Sequence, residues 1–380
     1  MFSFSGPQTI HFGRGQSQQT PTLAAGFGNA VLLVHGASAA RAKWLIDACN
    51  DAGLTTKTIS CLREPSLPDI ELALDQLKGF QPDVVIALGG GSVIDFAKAL
   101  TALILCPGAP RNYLEVVGDG RQLEHPPVPM IALPTTAGTG AEVTKNAVIS
   151  VPDRGLKVSL RDPRMVPDIA IIDANLMQGA PRHVTLASGL DAVTQVIEPY
   201  LSVKANPMTD ALCRAAIPTG LGVLRTLVEN DAPDAWDSMA WVSTCGGLAL
   251  ANAGLGAVHG FAGVIGGKTN APHGEICGAL LPAVLQSHQR NAKQETDVHT
   301  RLQWVVQQIA DHFAKDNTAD PIRELRRWSQ DMGLRGLQDM GLALADFPEV
   351  AEAAATASSM KGNPFQLSQP DLLQILNAAK

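Results

Sequence analysis

Asp83-Val84-Val85-Ile86-Ala87-Leu88-Gly89-Gly90-Gly91-Ser92-Val93-Ile94-Asp95-Phe96-Ala97-Lys98 passes from an unbroken apolar run through three glycines into residues at helical spacing. A continuous apolar run of strand length suits a strand covered on both faces, which is the situation inside a parallel sheet. The glycines admit a tight turn that leads into a helix. Their backbone N–H groups can also approach phosphate oxygens at the helix N-terminus, where the dipole favours an anion. The stretch is neither a G-x-G-x-x-G fingerprint nor a P-loop, so alone it supports a phosphate-bearing ligand or a plain βα turn that needs positive φ.

The same alternation recurs on both sides. Thr9 to Gly15 reads as a short strand ending in a glycine turn, Ala30 to His35 as an apolar strand, and about Ala39 to Ala52 as a helix. Thr55 to Cys61 is strand-like and Asp69 to Gly79 helical. Met130 to Pro134 is a further strand, and Val148 to Val151 and Ile169 to Asp173 are the last. Strands and helices joined by short turns imply right-handed crossovers and a mostly parallel sheet, with ligands at the carboxyl ends of its strands. From about Pro181 to Lys380 the strand-like runs give way to Ala/Leu-rich helical spacing. The expected organisation is an α/β domain over residues 1–180 and an all-helical domain over 181–380.

Composition narrows the partners. The 380 residues are 46% hydrophobic and 17% charged with a formal net charge of −7, which excludes a basic nucleic-acid or anionic-membrane surface and favours a small molecule. Six cysteines occur with no C-x-x-C pair, as in a protein of a reducing cytoplasm, and the first residues lack the pattern of a signal peptide. Met239 to Gly267 carries no Asp, Glu, Lys or Arg and is long enough to span a bilayer. Its eight glycines, with Asn252 and His259, fit helices packed closely in a protein centre instead.

Two further loops bear on a cofactor. Thr135-Thr136-Ala137-Gly138-Thr139-Gly140 follows a strand and offers hydroxyls and glycines to a pyrophosphate or ribose, or serves as a polar connector. Together with Gly89 to Ser92 it makes a dinucleotide more plausible than either loop does alone. Gly36-Ala37-Ser38, after the His35 strand, places no carboxylate where an NAD-selective site often binds the adenosine ribose. Arg41 and Lys43 follow it, which favours NADP and leaves NAD open.

A possible metal site is spread over three segments. Asp191, Gln195 and Glu198 recur at i, i+4 and i+7 on one face of a helix expected to be capped near Ser188. His259 and His273, the latter in a Pro272-His273-Gly274 turn, could meet Asp191 on a divalent ion. The plainer readings are an exposed polar face for Asp191 and Glu198 and a satisfied core hydrogen bond for either histidine.

Taken in order, four motifs resemble those of the iron-containing alcohol dehydrogenase family. They are Gly89-Gly90-Gly91-Ser92 with Asp95 and Lys98; Pro134 to Thr144; Gly189-Leu190-Asp191-Ala192; and His259 with Pro272-His273-Gly274. The likeness runs from Phe12-Gly13-Arg14-Gly15 to Gly362-Asn363-Pro364. It implies a Rossmann-like N-terminal domain and an all-helical C-terminal domain, the fold shared with dehydroquinate synthase. It also implies phosphate binding by Gly89, Gly90, Gly91, Ser92 and Asp95 and nicotinamide-cofactor contacts from Thr135, Thr136 and Thr139. Gly36, Ser38 and Lys157 complete the expected cofactor set. Metal ligation is implied for Asp191, His259 and His273.

The resemblance departs at two places. Gln195 stands where the family normally has a second-turn histidine, and Gly263 where many members have a histidine near the substrate. A neutral amide is a weaker ligand for Fe(II) or Zn(II) than imidazole, which weakens the expectation of metal. The implied activity is NAD(P)-dependent interconversion of a small alcohol and its aldehyde or ketone in a cytoplasmic homodimer, with His259 and His273 catalytic and Gln195 as a weak fourth ligand. Two alternatives remain. One is a metal-independent reductase of a carboxylated keto substrate, similar to maleylacetate reductase, with either histidine as general acid. The other is a non-redox enzyme similar to dehydroquinate synthase.

Overall fold

The computed structural model describes residues 1–230, 232–269, 271–314 and 320–380. It contains two compact units, Gly6–Thr136 with Gly140–Gln178, and Met1–Ser5 with Ala137–Thr139 and Gly179–Lys380.

The first unit holds strands β1 (Thr9–Phe12), β2 (Ala30–His35), β3 (Thr55–Ser60), β4 (Val84–Gly89), β5 (Met130–Pro134), β6 (Asn146–Val151), β7 (Leu156–Arg161) and β8 (Ile169–Ile172). Its helices are α1 (Thr20–Ala25), α2 (Ala39–Asp51), α3 (Leu67–Gln76) and α4 (Gly91–Leu103). Six strands form a parallel sheet in the order β1-β8-β5-β4-β2-β3. Val31 to Val34 and Val84 to Ala87 are fully buried, as their unbroken apolar runs require. The chain adds β3 on one side of β2 and then β4, β5 and β8 on the other. The loops after β2 and β4 therefore flank the point where strand order reverses, the usual ligand position in such sheets.

One strand differs in its partner from the sequence reading. Val148 to Val151 is a strand, but β6 pairs antiparallel with β7 as a separate hairpin. Its burial alternates residue by residue, which fits a ribbon with one face covered, whereas the sheet strands are buried on both faces. Lys98, fully buried on α4, ties the hairpin to the sheet unit. Its ammonium donates to the Thr144 hydroxyl at 2.9 Å and the Asn146 carbonyl at 2.6 Å and pairs with Asp95 at 3.1 Å. Burial pushes its pKa down, and the Asp95 carboxylate opposes that shift.

The second unit consists of α5 (Arg182–Leu201), α6 (Pro207–Asn230), α7 (Ala235–Ala253), α8 (Ala257–Thr269), α9 (His273–Asn291), α10 (Asp297–Phe313), α11 (Pro321–Asp331), α12 (Phe347–Thr356) and α13 (Gln369–Ala378). α5 is its axis, packed by α6, α7, α9 and α10. From Thr185 to Leu201 every residue of α5 except Ser188 is buried. Glycines permit this: a Cβ at Gly189 would lie 2.4 Å from Leu224 Cδ1, and one at Gly274 only 2.4 Å from the Ala187 carbonyl.

The expected cap at Ser188 is displaced. α5 begins at Arg182, directly after Pro181, so Ser188 lies well inside the helix. The uncharged stretch from Met239 to Gly267 does not form one straight rod, since α7 and α8 bend by 99° about Gly254 and its neighbours. Among the described residues α6 is the one helix that alone matches a membrane span in length and composition. It packs against α5 and α7.

Replacing Lys98 by Met leaves buried acceptors without their donor. The expected loss is about 3 kcal/mol of unfolding free energy in urea. Lys43→Met, which removes an exposed partner of Asp47, should change it by less than about 0.5 kcal/mol.

Candidate functional site

Asp191, His259, His273 and Cys277 bring one ligand atom each to a common point, all within 4.8 Å of one another. Their positions follow from the helices: Asp191 is buried mid-way along α5, His259 lies in the first turn of α8, and His273 and Cys277 sit one turn apart on α9. His259 Nε2 is 3.4 Å and His273 Nε2 3.8 Å from Asp191 Oδ1. Cys277 Sγ is 3.6 Å from His273 Nε2 and 3.9 Å from His259 Nε2. Asp191 is 2% exposed, yet its Oδ1 has no hydrogen-bond partner. A buried, orphaned carboxylate oxygen is costly unless something positive meets it.

Glu198 sets the orientation of His259. Its Oε1 accepts from the Val258 N–H at 2.6 Å, and its Oε2 lies 2.7 Å from His259 Nδ1. The Nδ1–H therefore points at Glu198, which leaves Nε2 as the ring atom that faces the shared centre. Behind it, Asn363 Oδ1 accepts from the Ala257 N–H at 3.2 Å and from His288 Nε2 at 3.1 Å, while the Asn363 amide donates to the Phe365 carbonyl. The start of α8 is thus held by two side chains from distant segments. Gly256 is needed there, because a Cβ would come within 2.9 Å of Glu198 Oε1.

The electrostatics follow from burial and charge. Burial pushes the His259 pKa down, but Cys277, Asp191 and Glu198 outweigh it and hold it well above the usual histidine value. His273 is likewise pushed down by burial and lifted to about 9 by Cys277 and Asp191. Burial raises the Asp191 pKa, and the two histidines bring it below its ordinary range. The raised histidine values mean that the two imidazoles hold protons against the buried Asp191 carboxylate; a divalent ion at the same point would displace those protons, since an imidazole ligates in its neutral form. His288, buried with Nδ1 unpartnered, is pushed down to about 4.

Gln195 lies on the same helix face as Asp191, and its amide Nε2 donates to the Gly138 carbonyl at 2.9 Å. At Gly263 a Cβ would meet nothing within 4 Å, so the space one turn beyond His259 is open. Two residues of the centre carry weaker signals in the sequence. Cys277 stands among scattered cysteines, although its i+4 spacing from His273 places both on one helical face. Glu198 shares the Asp191 face, where an exposed polar residue is the plainer expectation; it is 5% exposed.

In the sheet unit the expected cofactor loops adjoin. The Thr135 N–H donates to the Gly89 carbonyl at 3.0 Å, and a Cβ at Gly90 would lie 3.1 Å from Thr136 Oγ1. Gly91 and Ser92 open α4, whose N-terminus has no side-chain cap. α2 likewise starts after Ser38 without a side-chain cap, beside Gly36. Asp95 is committed to protein contacts, pairing with Lys98 and accepting from the Val148 N–H at 3.0 Å. Lys157 on β7 pairs with Glu64. Thr139 belongs to the short segment grouped with the helical unit.

Comparison with known proteins agrees with this arrangement. Residues 7–174 match the family model described as iron-containing alcohol dehydrogenase, and residues 185–380 match the C-terminal model of the Fe-containing alcohol dehydrogenase family. The chain is 34% identical over 319 residues to the probable alcohol dehydrogenase EutG of Escherichia coli K12, covering 83% of this chain and 78% of that one. It is 34% identical over 323 residues to lactaldehyde reductase of the same strain, covering 83% and 81%. The solved alcohol dehydrogenase from Oenococcus oeni superposes with a TM-score of 0.88 at 26% identity, covering all of both chains. The chain belongs to the iron-containing alcohol dehydrogenase family. It is an oxidoreductase that interconverts alcohols and their carbonyl counterparts.

Carboxylates behind metal-binding imidazoles contribute about 10- to 100-fold to metal affinity. Glu198→Gln is expected to weaken zinc uptake by that factor in competition with a chromophoric chelator, while the far-ultraviolet circular dichroism stays unchanged.

Proposed function

We propose that this alcohol dehydrogenase reduces a small aldehyde with NADP as its preferred cofactor and a divalent metal held by Asp191, His259 and His273. The observation that carries the metal is Asp191 Oδ1, which is buried, has no hydrogen-bond partner and is faced by the ring nitrogens of His259 and His273 at 3.4 and 3.8 Å. This donor set fits a divalent ion, which favours the metal-assisted reading over a metal-independent reductase.

A bound divalent ion supplies Lewis-acid polarisation of a carbonyl oxygen. The nicotinamide supplies the hydride. The protein's part is positional. Asp191 brings negative charge into a buried site, and Glu198 keeps the His259 lone pair aimed inward. His273, 38% exposed, is the member of the set that reaches solvent. Backbone N–H groups at Gly91 and Ser92, with the hydroxyls of Thr135 and Thr136, are the proposed pyrophosphate and ribose contacts. Gly36 and Ser38 leave the adenosine ribose free of a carboxylate, which suits a 2′-phosphate.

A small aldehyde is supported by a relative named lactaldehyde reductase. A cytoplasmic location agrees with six unpaired thiols. A homodimer is the assembly expected from the family.

Exhaustive dialysis against chelator should abolish aldehyde reduction, and adding back zinc or ferrous ion should restore it. Full activity in metal-free protein, retained on a keto acid, would overturn the metal role. Gly36 has room for a side chain, since a Cβ there meets nothing nearer than Val93 at 3.8 Å. Gly36→Asp should lower kcat/KM with NADP by about tenfold or more relative to NAD, as a carboxylate repels the 2′-phosphate.

A further inference from the structure

We infer that Cys277 is a fourth protein ligand, a thiolate in place of the imidazole that Gln195 does not provide, and that the metal this chain selects is zinc. The inference rests on the metal-assisted reading above and deepens it.

Three observations carry it. First, the substitution is compensated within the same site. Gln195 donates its amide to the Gly138 carbonyl, while Cys277, one turn after His273, turns a fully buried sulfur toward the other donors. Second, the spacing suits a small tetrahedral ion. Bonds of about 2.0–2.1 Å to nitrogen and oxygen and about 2.3 Å to sulfur give donor-to-donor edges of about 3.3 Å, or about 3.6 Å where sulfur takes part. The observed separations are 3.4 and 3.8 Å from Asp191 Oδ1 to the two imidazoles and 3.6 and 3.9 Å from Cys277 Sγ to the same rings.

Third, the group keeps a buried acceptor that its neighbours do not satisfy. His259 Nδ1 faces Glu198, and the two Nε2 atoms, at 3.4 and 3.8 Å, do not close a hydrogen bond on Asp191 Oδ1. Asp191 Oδ1 is the atom left without a partner. A divalent cation meets all four at once, and two anionic ligands balance its charge. An oxygen, two imidazoles and a thiolate form a softer set than carboxylate and imidazole alone, which is zinc's preference over ferrous iron, and zinc can expand to five-coordinate to admit the substrate oxygen.

The test uses the full-length protein, stripped of metal under reducing conditions and reloaded with cobalt(II) as a spectroscopic stand-in for zinc. A thiolate-to-cobalt charge-transfer band in the near ultraviolet is expected, and Cys277→Ser should abolish it while the visible cobalt bands persist. In parallel, anaerobic competition should favour zinc over ferrous ion, and Cys277→Ser should reduce that preference about tenfold. Zinc-edge X-ray absorption of the unmutated protein reads one sulfur at about 2.3 Å without relying on any variant. Cobalt bound with no charge-transfer band, or a band that survives in Cys277→Ser, would overturn the thiolate ligand and leave the metal-assisted dehydrogenase standing. Failure to bind cobalt or zinc at all would overturn both.

Discussion

Two carboxylates buried on one face of a single helix, Asp191 and Glu198 on α5, set the terms for the helical unit. Each charge taken out of water costs several kcal/mol unless it is paired and hydrogen-bonded. Glu198 is compensated locally by the Val258 N–H, by His259 and by the positive end of α8. Asp191 is not, because its Oδ1 lacks a hydrogen-bond partner and faces ring nitrogens at 3.4 and 3.8 Å. The unequal treatment of two similar groups separates an orienting carboxylate from one available to a cation.

Holding those charges in place is a packing problem, and small residues solve it. Gly189, Gly274 and Gly278 let α6 and α9 approach α5 more closely than any side chain would permit. Asn363, from near the C-terminus, and Glu198 together fix the first turn of α8, so the His259 ring has little freedom. Donors brought together from three helices need this rigidity if they are to hold a metal, because their positions must hold to within a fraction of an ångström.

The sheet unit follows a different logic. Its central strands are buried on both faces, so their runs are continuous and readable, and the glycine loops at their ends adjoin because β2, β4 and β5 are neighbours. Lys98 shows how a residue inside a binding motif can serve the fold: its ammonium and Asp95 secure the β6–β7 hairpin and leave the α4 N-terminus uncapped.

The sequence alone determined the alternating α/β half, the helical half and the glycine loops, because these depend on periodicity and spacing along a single segment; Asp191, His259 and His273 stand on three separate helices and were legible only through the family resemblance of their motifs. It did not show that β6 pairs with β7 outside the parallel sheet, since pairing depends on which strand lies alongside. It placed the start of α5 too late, because Ser188 looks like a cap only if the buried turn before it is overlooked. Only the tertiary structure decided that Glu198 stands behind His259, that Gln195 answers Gly138, and that Cys277 comes to the Asp191 oxygen. Those are contacts between residues 57 to 86 positions apart or on different helices, and no local spacing encodes a distance set by helix packing.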